Sequence, residues 1–501
     1  MHAAIGAGRW RLLRQMLVES LVLAALACGA GLALAAVTID LVAAMGPRAV
    51  SQLGELSLDA RVVCFAMALA AGTVLLFGFW PAVQLSRPAS GGALHEGSLR
   101  ATASRGRRWF GGALVVAEVA LALVLVAGAG LLVRSFLTLV RIDPGFARSN
   151  VAALQVFAYG PSYASGAQVA GFFGESLERV RALPGVEAAG LVSAMPFLSA
   201  NIDIRGELRI EGRPDPRPED VPRVSLTVAT ADYFRAMRVP LKRGRLFSEG
   251  DRHGALPVTI VNEVMAERYW PDGDALGRRL TVSWQGRPRT VQIVGVVGAL
   301  RHDGLDAAPR PEIFLPFDQM PFGSMTFVVR ATGDAAALVP SVKARIWEVD
   351  PTLPFYDVAT LDGLVAESLT PRRVMMQLLG ALAGLAFILA AAGLYGLLSF
   401  STAQRTREIG VRMAMGARTR DILRLVVGEG LVLVGVGVLV GLAGALAVTR
   451  VLAASLFQVS PTDPATFLLA TALLFAVGLL ACYLPARRAA RVDPLTALRV
   501  D

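Results

Sequence analysis

The chain has 501 residues, of which 54% are hydrophobic and only 18% are charged, and its mean hydropathy is +0.55. A soluble domain has about 25% charged residues, so this composition excludes an ordinary soluble protein and indicates a membrane protein. The net charge of +10 is almost entirely arginine and much of it flanks apolar runs, where membrane topology and lipid headgroups account for it better than nucleic-acid binding does.

Six apolar runs are each long enough to cross about 30 Å of hydrocarbon as a helix. The predicted spans are 16–44, 60–85, 110–133, 374–400, 424–453 and 465–485. The first run extends well beyond the apolar region of a signal peptide, so we interpret it as a span. The predicted fold class is therefore an α-helical transmembrane bundle of six spans plus an extracytoplasmic α+β domain.

Arginine placement predicts the orientation of these spans. Segments 1–15, 86–109, 401–424 and 486–501 carry 3, 5, 6 and 4 arginines. The short connections 45–59 and 454–464 carry only Arg48 between them. Because the two classes of connection alternate along the chain, we expect both termini in the cytoplasm and residues 134–373 outside.

Residues 134–373 have the soluble composition and mixed pattern of an α+β domain, and the spread of their strand and helix patterns suggests two lobes. Short β-branched runs at 258–261, 291–297 and 326–329 predict strands. The periodicity of 167–183 and 336–349 predicts helices, the second of which ends before Pro351.

No catalytic, cofactor-binding or metal-binding motif is recognisable, so the chain is not predicted to be an enzyme. His302, beside Asp303, is predicted to be a hydrogen-bonded loop histidine rather than a base or metal ligand. Cys28, Cys64 and Cys482 lie within apolar runs without a CxxC pair, which predicts neither a zinc site nor a disulfide framework.

An internal repeat links the two ends of the chain. Residues 4–36 align without gaps on 414–446, with 13 of 33 positions identical. Farther along, residues 81–82 match 485–486 and 93–94 match 497–498. Spans one and two therefore copy spans five and six, which predicts that residues 1–100 are the end of a first half-transporter.

Three carboxylates fall inside the predicted spans, where charge is costly and often functional. Glu19 and its repeat copy Glu429 lie near the cytoplasmic interface, where pairing with Arg14 or Arg424 is the expected structural role. Glu118 lies deeper, and we expect it to pack against an arginine, with a proton or gating site as the alternative.

Glycine spacing in the fifth span predicts a close helix contact. Gly437 and Gly441 form a small-xxx-small pattern, which lets two helices approach closely in lipid.

The charged segment 403–424, at the cytoplasmic end of the fourth span, is amphipathic. Its apolar positions are Ile409, Met413, Ile422 and Leu425, and its other faces carry six arginines. Such a helix can lie in the membrane interface or dock into a groove of a partner. A solvated loop that only sets topology is the simpler alternative.

Residues 407–417 match the pattern REIGxRxAxGA, and 485–499 match PARRAAxxDPxxALR. Both resemble signatures of the FtsX/MacB-type permease family of ABC transporters, in its duplicated-permease branch with an incomplete first half. Segments 261–263, 268–271, 277–279, 295–298 and 301–304 are similar to that family's periplasmic core domain.

The resemblance implies four domains: 1–100, the end of a first FtsX-like half; 101–133, the first span of the second half; 134–373, a MacB-like periplasmic core; and 374–501, an FtsX-like permease. It also implies a coupling helix at about 403–420 that docks on an ATPase subunit. The residues implied for coupling are Arg407, Glu408, Gly410, Arg412, Gly416 and Ala417.

The chain has no P-loop, because neither Lys242 nor Lys343 has the required glycines before it. The resemblance therefore implies that ATP is bound by a separate cytoplasmic ATPase, and that the chain is the permease of an exporter in the bacterial inner membrane. Other implied partners are a second permease copy or chain, a periplasmic adaptor and membrane lipid. A non-transporting scaffold that activates an extracytoplasmic partner is the alternative function.

Overall fold

The computed structural model describes residues 9–43, 58–75, 96–198, 204–215, 217–415, 417–452 and 456–489. Within them the chain separates into two units. One comprises the described residues up to Phe136 and from Thr370 onward, and the other is Leu137–Leu369.

The helices and strands follow one another along the chain. The helices are α1 (Arg9–Ala43), α2 (Ala60–Val74), α3 (Glu96–Val140), α4 (Gly166–Arg181), α5 (Ala231–Met237), α6 (Glu263–Tyr269), α7 (Ala335–Trp347), α8 (Leu361–Ser368), α9 (Thr370–Gln404), α10 (Thr406–Ala414), α11 (Thr419–Leu452) and α12 (Pro464–Ala489). The strands are β1 (Val151–Phe157), β2 (Val186–Val192), β3 (Arg205–Ile210), β4 (Arg223–Ala229), β5 (Leu241–Gly244), β6 (Val258–Asn262), β7 (Arg279–Trp284), β8 (Arg287–Val297), β9 (Glu312–Pro316), β10 (Ser324–Ala331) and β11 (Phe355–Thr360).

Five helices of the described residues are long and apolar enough to cross a membrane. Their apolar segments are Leu17–Asp40, Trp109–Val140, Thr370–Gln404, Thr419–Val451 and Pro464–Arg488. The second predicted span, 60–85, appears as the shorter apolar helix α2, and residues 76–95 lie outside the described residues. Five of the six predicted spans are thus present as long apolar helices.

Helices α3, α9, α11 and α12 share one buried apolar core. Small residues set how closely they approach. A Cβ on Gly441 would lie 2.9 Å from the Cα of Ala120 on α3, and a Cβ on Gly437 would lie 2.8 Å from Val119. The predicted contact at the Gly437–Gly441 pair is confirmed, and its partner is α3.

The second unit is built on one eleven-stranded sheet. Its order is β11-β1-β10-β2-β4-β3-β7-β8-β6-β9, with β5 paired to β8. Strand β9 also pairs in parallel with β4, Ser225 lying opposite Glu312, so β4, β3, β7, β8, β6 and β9 form a closed ring. Closure removes free edges that could pair with other chains.

Two cores stabilise this unit. Helices α4 and α7 contribute to the core on one face of β1, β10 and β2, centred on Phe173 and Phe327. The other core fills the six-stranded ring and includes Met265 and Tyr269 from α6. Ser165 and Gln168 begin α4 with a reciprocal capping box.

Candidate functional site

The charged segment between α9 and α11 is a short helix of its own. Helix α9 continues to Gln404, α10 occupies Thr406–Ala414, and α11 begins at Thr419. The predicted coupling helix at about 403–420 is therefore too long, because the chain leaves helical geometry at Arg405, where φ is −101° and ψ is 10°. Hydrophobic periodicity runs on across such breaks and does not reveal them.

One face of α10 packs onto the start of α11. Ile409 and Ile422 are buried against each other, and Met413 and Leu423 pack beside them. The Asp421 carboxylate accepts a hydrogen bond from the Arg418 backbone N–H, at 2.9 Å, and so caps the first turn of α11. These contacts fix which side of α10 faces inward.

Two ion pairs flank this apolar contact. Arg405 Nη1 lies 2.6 Å from Glu429 Oε1 and so ties the end of α9 to α11. Arg412 Nη2 lies 2.7 Å from Glu408 Oε1, one turn apart on α10. A groove bordered by both pairs runs between the helices, with Leu398, Leu425 and Val426 as apolar lining.

The predicted pairing of Glu429 with Arg424 is wrong. An arginine does pair with this carboxylate, but it is Arg405 rather than Arg424. The reason is the turn at Arg405, which brings the end of α9 beside a part of α11 about three turns from its start. Glu19, its repeat copy, is exposed on α1 and makes no ion pair with Arg14 in the described part of the chain.

The outward face of α10 combines charge with apolar surface. Glu408, Val411, Arg412 and Met415 are all exposed, and Met415 is 82% exposed. Their spacing of three and four residues places them on one side of a helix. Sequence reasoning missed Val411 and Met415, because the apolar stripe it followed was the buried one.

The remaining predicted coupling residues are placed as follows. Ala417 lies just after α10, and its N–H donates to the carbonyl of Arg412 at 3.0 Å. Arg407 and Gly410 belong to the backbone of α10. Gly416 lies outside the described residues.

Glu118 does not pack against an arginine, so that prediction is wrong. Its carboxylate faces Gly393 of α9, where a Cβ would lie 2.2 Å from Glu118 Oε2. This oxygen is buried without a hydrogen-bond partner among the described residues. The absence of a side chain at Gly393 makes room for the carboxylate.

His302 is hydrogen-bonded in a loop, as predicted. Its Nε2 lies 3.0 Å from Glu312 Oε2, and Thr227 Oγ1 donates to the other carboxylate oxygen at 2.5 Å. The Tyr233 hydroxyl is buried nearby, and burial together with Glu312 raises the pKa of Tyr233. The described residues contain no cluster of His, Cys, Asp and Glu that could hold a metal ion.

Comparison with known proteins matches two families in the order of the two units. Residues 113–346 match the MacB-like periplasmic core domain, and residues 380–494 match the FtsX-like permease C-terminal domain. The chain belongs to the FtsX/MacB-like family of ABC transporter permeases. It is membrane-embedded, with an extracytoplasmic segment formed by its α+β unit.

Several curated proteins are similar to this permease. The pyoverdine export ATP-binding/permease protein PvdT of Pseudomonas syringae pv. tomato is 30% identical over 271 residues, which cover 52% of this chain and 40% of PvdT. The macrolide export ATP-binding/permease protein MacB of Azoarcus sp. is 27% identical, with 64% of this chain and 47% of MacB covered. The permease therefore spans less than half the length of these relatives.

Two further proteins match. The uncharacterized ABC transporter permease YknZ of Bacillus subtilis is 25% identical over 54% of this chain and 68% of YknZ. Among solved structures, the periplasmic region of MacB from Actinobacillus actinomycetemcomitans aligns with 45% of this chain and 94% of its own, at 13% identity and a TM-score of 0.30.

Proposed function

We propose that this chain is the permease subunit of an ABC-type exporter, and that α10 docks on a separate cytoplasmic ATPase that binds ATP. In this arrangement both termini and α10 lie on the cytoplasmic side of a bacterial inner membrane. The observation that carries the proposal is the exposed face of α10, formed by Glu408, Val411, Arg412 and Met415.

The surroundings of α10 suit a part that transmits force. The Ile409–Ile422 contact joins α10 to α11, and the Arg405–Glu429 ion pair ties the end of α9, where α10 begins, to α11 as well. A push on the outward face would therefore reach α9 and α11 together. These helices pack with α3 and α12 in one core, so the four helices can shift as rods.

The names of the relatives support the division of labour. PvdT and MacB are each named as an ATP-binding and permease protein, and this chain matches less than half of each. YknZ is named as a permease and is matched over 68% of its length. We infer an ABC ATPase as a partner, with a second permease and a periplasmic adaptor as further partners.

Binding between the full-length chain in nanodiscs and a cytoplasmic ABC ATPase from the same organism tests the docking face. We expect the double variant Glu408→Ala, Arg412→Ala to weaken binding at least about tenfold, since charged hydrogen bonds contribute about 1.5–3 kcal/mol each. The double variant Arg418→Ala, Arg420→Ala removes two exposed charges outside that face and should leave binding unchanged. Equal affinities for both double variants and the parent would refute the assignment of α10.

A second measurement separates export from the scaffold alternative. An exporter should show ATPase activity that rises with a small molecule or peptide cargo. A scaffold should show activity that rises only with an extracytoplasmic protein partner.

A further inference from the structure

Near the C-terminal end of α12, an arginine contacts a tyrosine rather than a carboxylate among the described residues. Arg488 is the last residue of the apolar stretch of α12 and is exposed. Among the described residues it makes no ion pair. Its Nη1 instead donates to the Tyr395 hydroxyl of α9 at 2.5 Å, and its guanidinium carbon lies 5.9 Å from the centre of that ring.

The position of Tyr395 makes this contact informative. Tyr395 lies nine residues before the end of α9 at Gln404, a distance of about 14 Å along the helix axis. An arginine at the end of a span ordinarily extends toward the water. Here the guanidinium reaches to a hydroxyl within the apolar span, so its charge lies at the exposed surface where α9 and α12 meet.

The two polar groups present converging donors. One N–H of the guanidinium is used by Tyr395, which leaves four further N–H donors. The tyrosine oxygen accepts that bond, so its own O–H can still donate. A planar fork of N–H groups beside a hydroxyl donor matches the oxygens of a phosphate.

The surface around the pair is that of a lipid site. Toward the membrane centre, exposed apolar residues extend from both helices, Leu480 and Leu484 on α12 and Ile388 on α9. Free phosphate would make no use of the apolar surface beside the pair. A phospholipid presents a phosphate together with acyl chains and so matches both parts of this surface.

We propose that Tyr395 and Arg488 bind the phosphate of an anionic phospholipid whose acyl chains lie on the exposed faces of α9 and α12. The positive charge of Arg488, which has no ion pair among the described residues, favours a headgroup with net negative charge over a zwitterionic one. The lipid would join α9, which leads into α10, to α12. The proposal depends on membrane embedding and on this contact, and it does not depend on transport.

Native mass spectrometry of the purified full-length chain can measure the binding. Phosphatidylglycerol and phosphatidylcholine with identical acyl chains are titrated onto the delipidated protein. We expect the parent to bind phosphatidylglycerol about tenfold more tightly, and Arg488→Gln to remove that preference, because a charged hydrogen bond contributes about 1.5–3 kcal/mol. Tyr395→Phe should weaken binding about threefold, as expected for one neutral hydrogen bond.

Arg487→Gln is the matched control, since it removes a neighbouring positive charge that does not contact Tyr395, and its affinity should stay within about twofold of the parent. Equal losses in the two arginine variants would show general charge attraction and overturn the site. Displacement of the lipid by free glycerol phosphate at equal concentration would show a phosphate site instead. If Arg488→Gln does not fold, Tyr395→Phe decides, and an unchanged affinity for phosphatidylglycerol in that variant overturns the proposal.

Discussion

Two copies of one sequence repeat behave differently in this molecule. Helix α11 is packed tightly, whereas α1 is exposed along its apolar segment. Gly441 lies within 3 Å of Ala120 once a Cβ is added, while its copy Gly31 has nothing within 4 Å. A repeated sequence is therefore enough to form an apolar helix in both copies, but it does not by itself produce close packing. Close packing also needs a partner helix, which for α11 is α3.

The capping residues of the second repeated span extend this comparison. Asp59 begins α2 and Asp463 begins α12, at equivalent positions of the repeat, and each accepts a hydrogen bond from the backbone three residues later. Only Asp463 also binds Thr466 Oγ1 and Arg134 of α3. The same cap is thus isolated in one copy and part of a network in the other.

The strongest test of the comparison is a matched pair of glycine substitutions. Gly441→Leu would force the leucine side chain into the backbone of α3, and we expect a loss of about 3 kcal/mol or of the folded state, as in severe overpacking. Gly31→Leu should leave stability unchanged. The melting temperature of the detergent-purified chain measures both. Similar losses in both variants would show that the two copies are equally packed.

Removal of the helix caps should have the next largest effect on stability. Asp463→Ala should cost about 2 kcal/mol, because it removes a helix cap together with its side-chain network, and Asp59→Ala about 0.5–1 kcal/mol. Chemical denaturation of each variant measures the difference. Equal costs for the two caps would contradict an added contribution from Thr466 and Arg134.

This prediction also has a pH dependence. Hydrogen bonds from Thr466, together with Arg134, lower the pKa of Asp463 below its usual value. Because the folded pKa is depressed, the stabilisation is complete above the unfolded pKa of about 3.9 and is lost as the pH falls through the folded pKa. The difference in stability between the parent and Asp463→Ala should therefore be full at neutral pH and should shrink as the pH falls below about 4.

The sequence predicted what depends on composition and periodicity. Apolar length predicted the five long helices, and β-branched runs located β6, β8 and β10. Contacts between distant elements could not be predicted in this way. The partner of Glu429 follows from a turn at Arg405, and closure of the ring follows from the pairing of β4 with β9. Neither leaves a periodic signal, because both depend on residues far apart in the chain.

A smaller effect is expected for Glu118 on α3, the helix that packs against α11. Its buried Oε2 has no partner among the described residues, so Glu118→Gln removes a costly charge and keeps the shape. We expect stability to rise by about 1 kcal/mol, as when a buried group without a partner is made neutral. Glu249→Gln, the same exchange at an exposed residue of the other unit, is the control. A marked loss of ATPase stimulation in Glu118→Gln would instead favour a gating role.

The smallest expected effect on stability concerns Glu429 and its copy Glu19. The Arg405–Glu429 pair is about one-third exposed at the arginine and 42% exposed at the carboxylate, so Glu429→Gln should cost less than about 1 kcal/mol. Its effect on coupling should be larger in proportion, because the pair joins the end of α9 to α11 beside α10. We expect ATPase stimulation by the permease to fall about threefold in Glu429→Gln and to remain unchanged in Glu19→Gln, which removes the equivalent charge from an exposed helix.

The exchange Arg405→Glu with Glu429→Arg restores opposite charges across the same gap and should recover most of the stimulation. If the exchange recovers nothing, the ion pair is not what couples α10 to the bundle, and the Ile409–Ile422 contact alone must carry the connection.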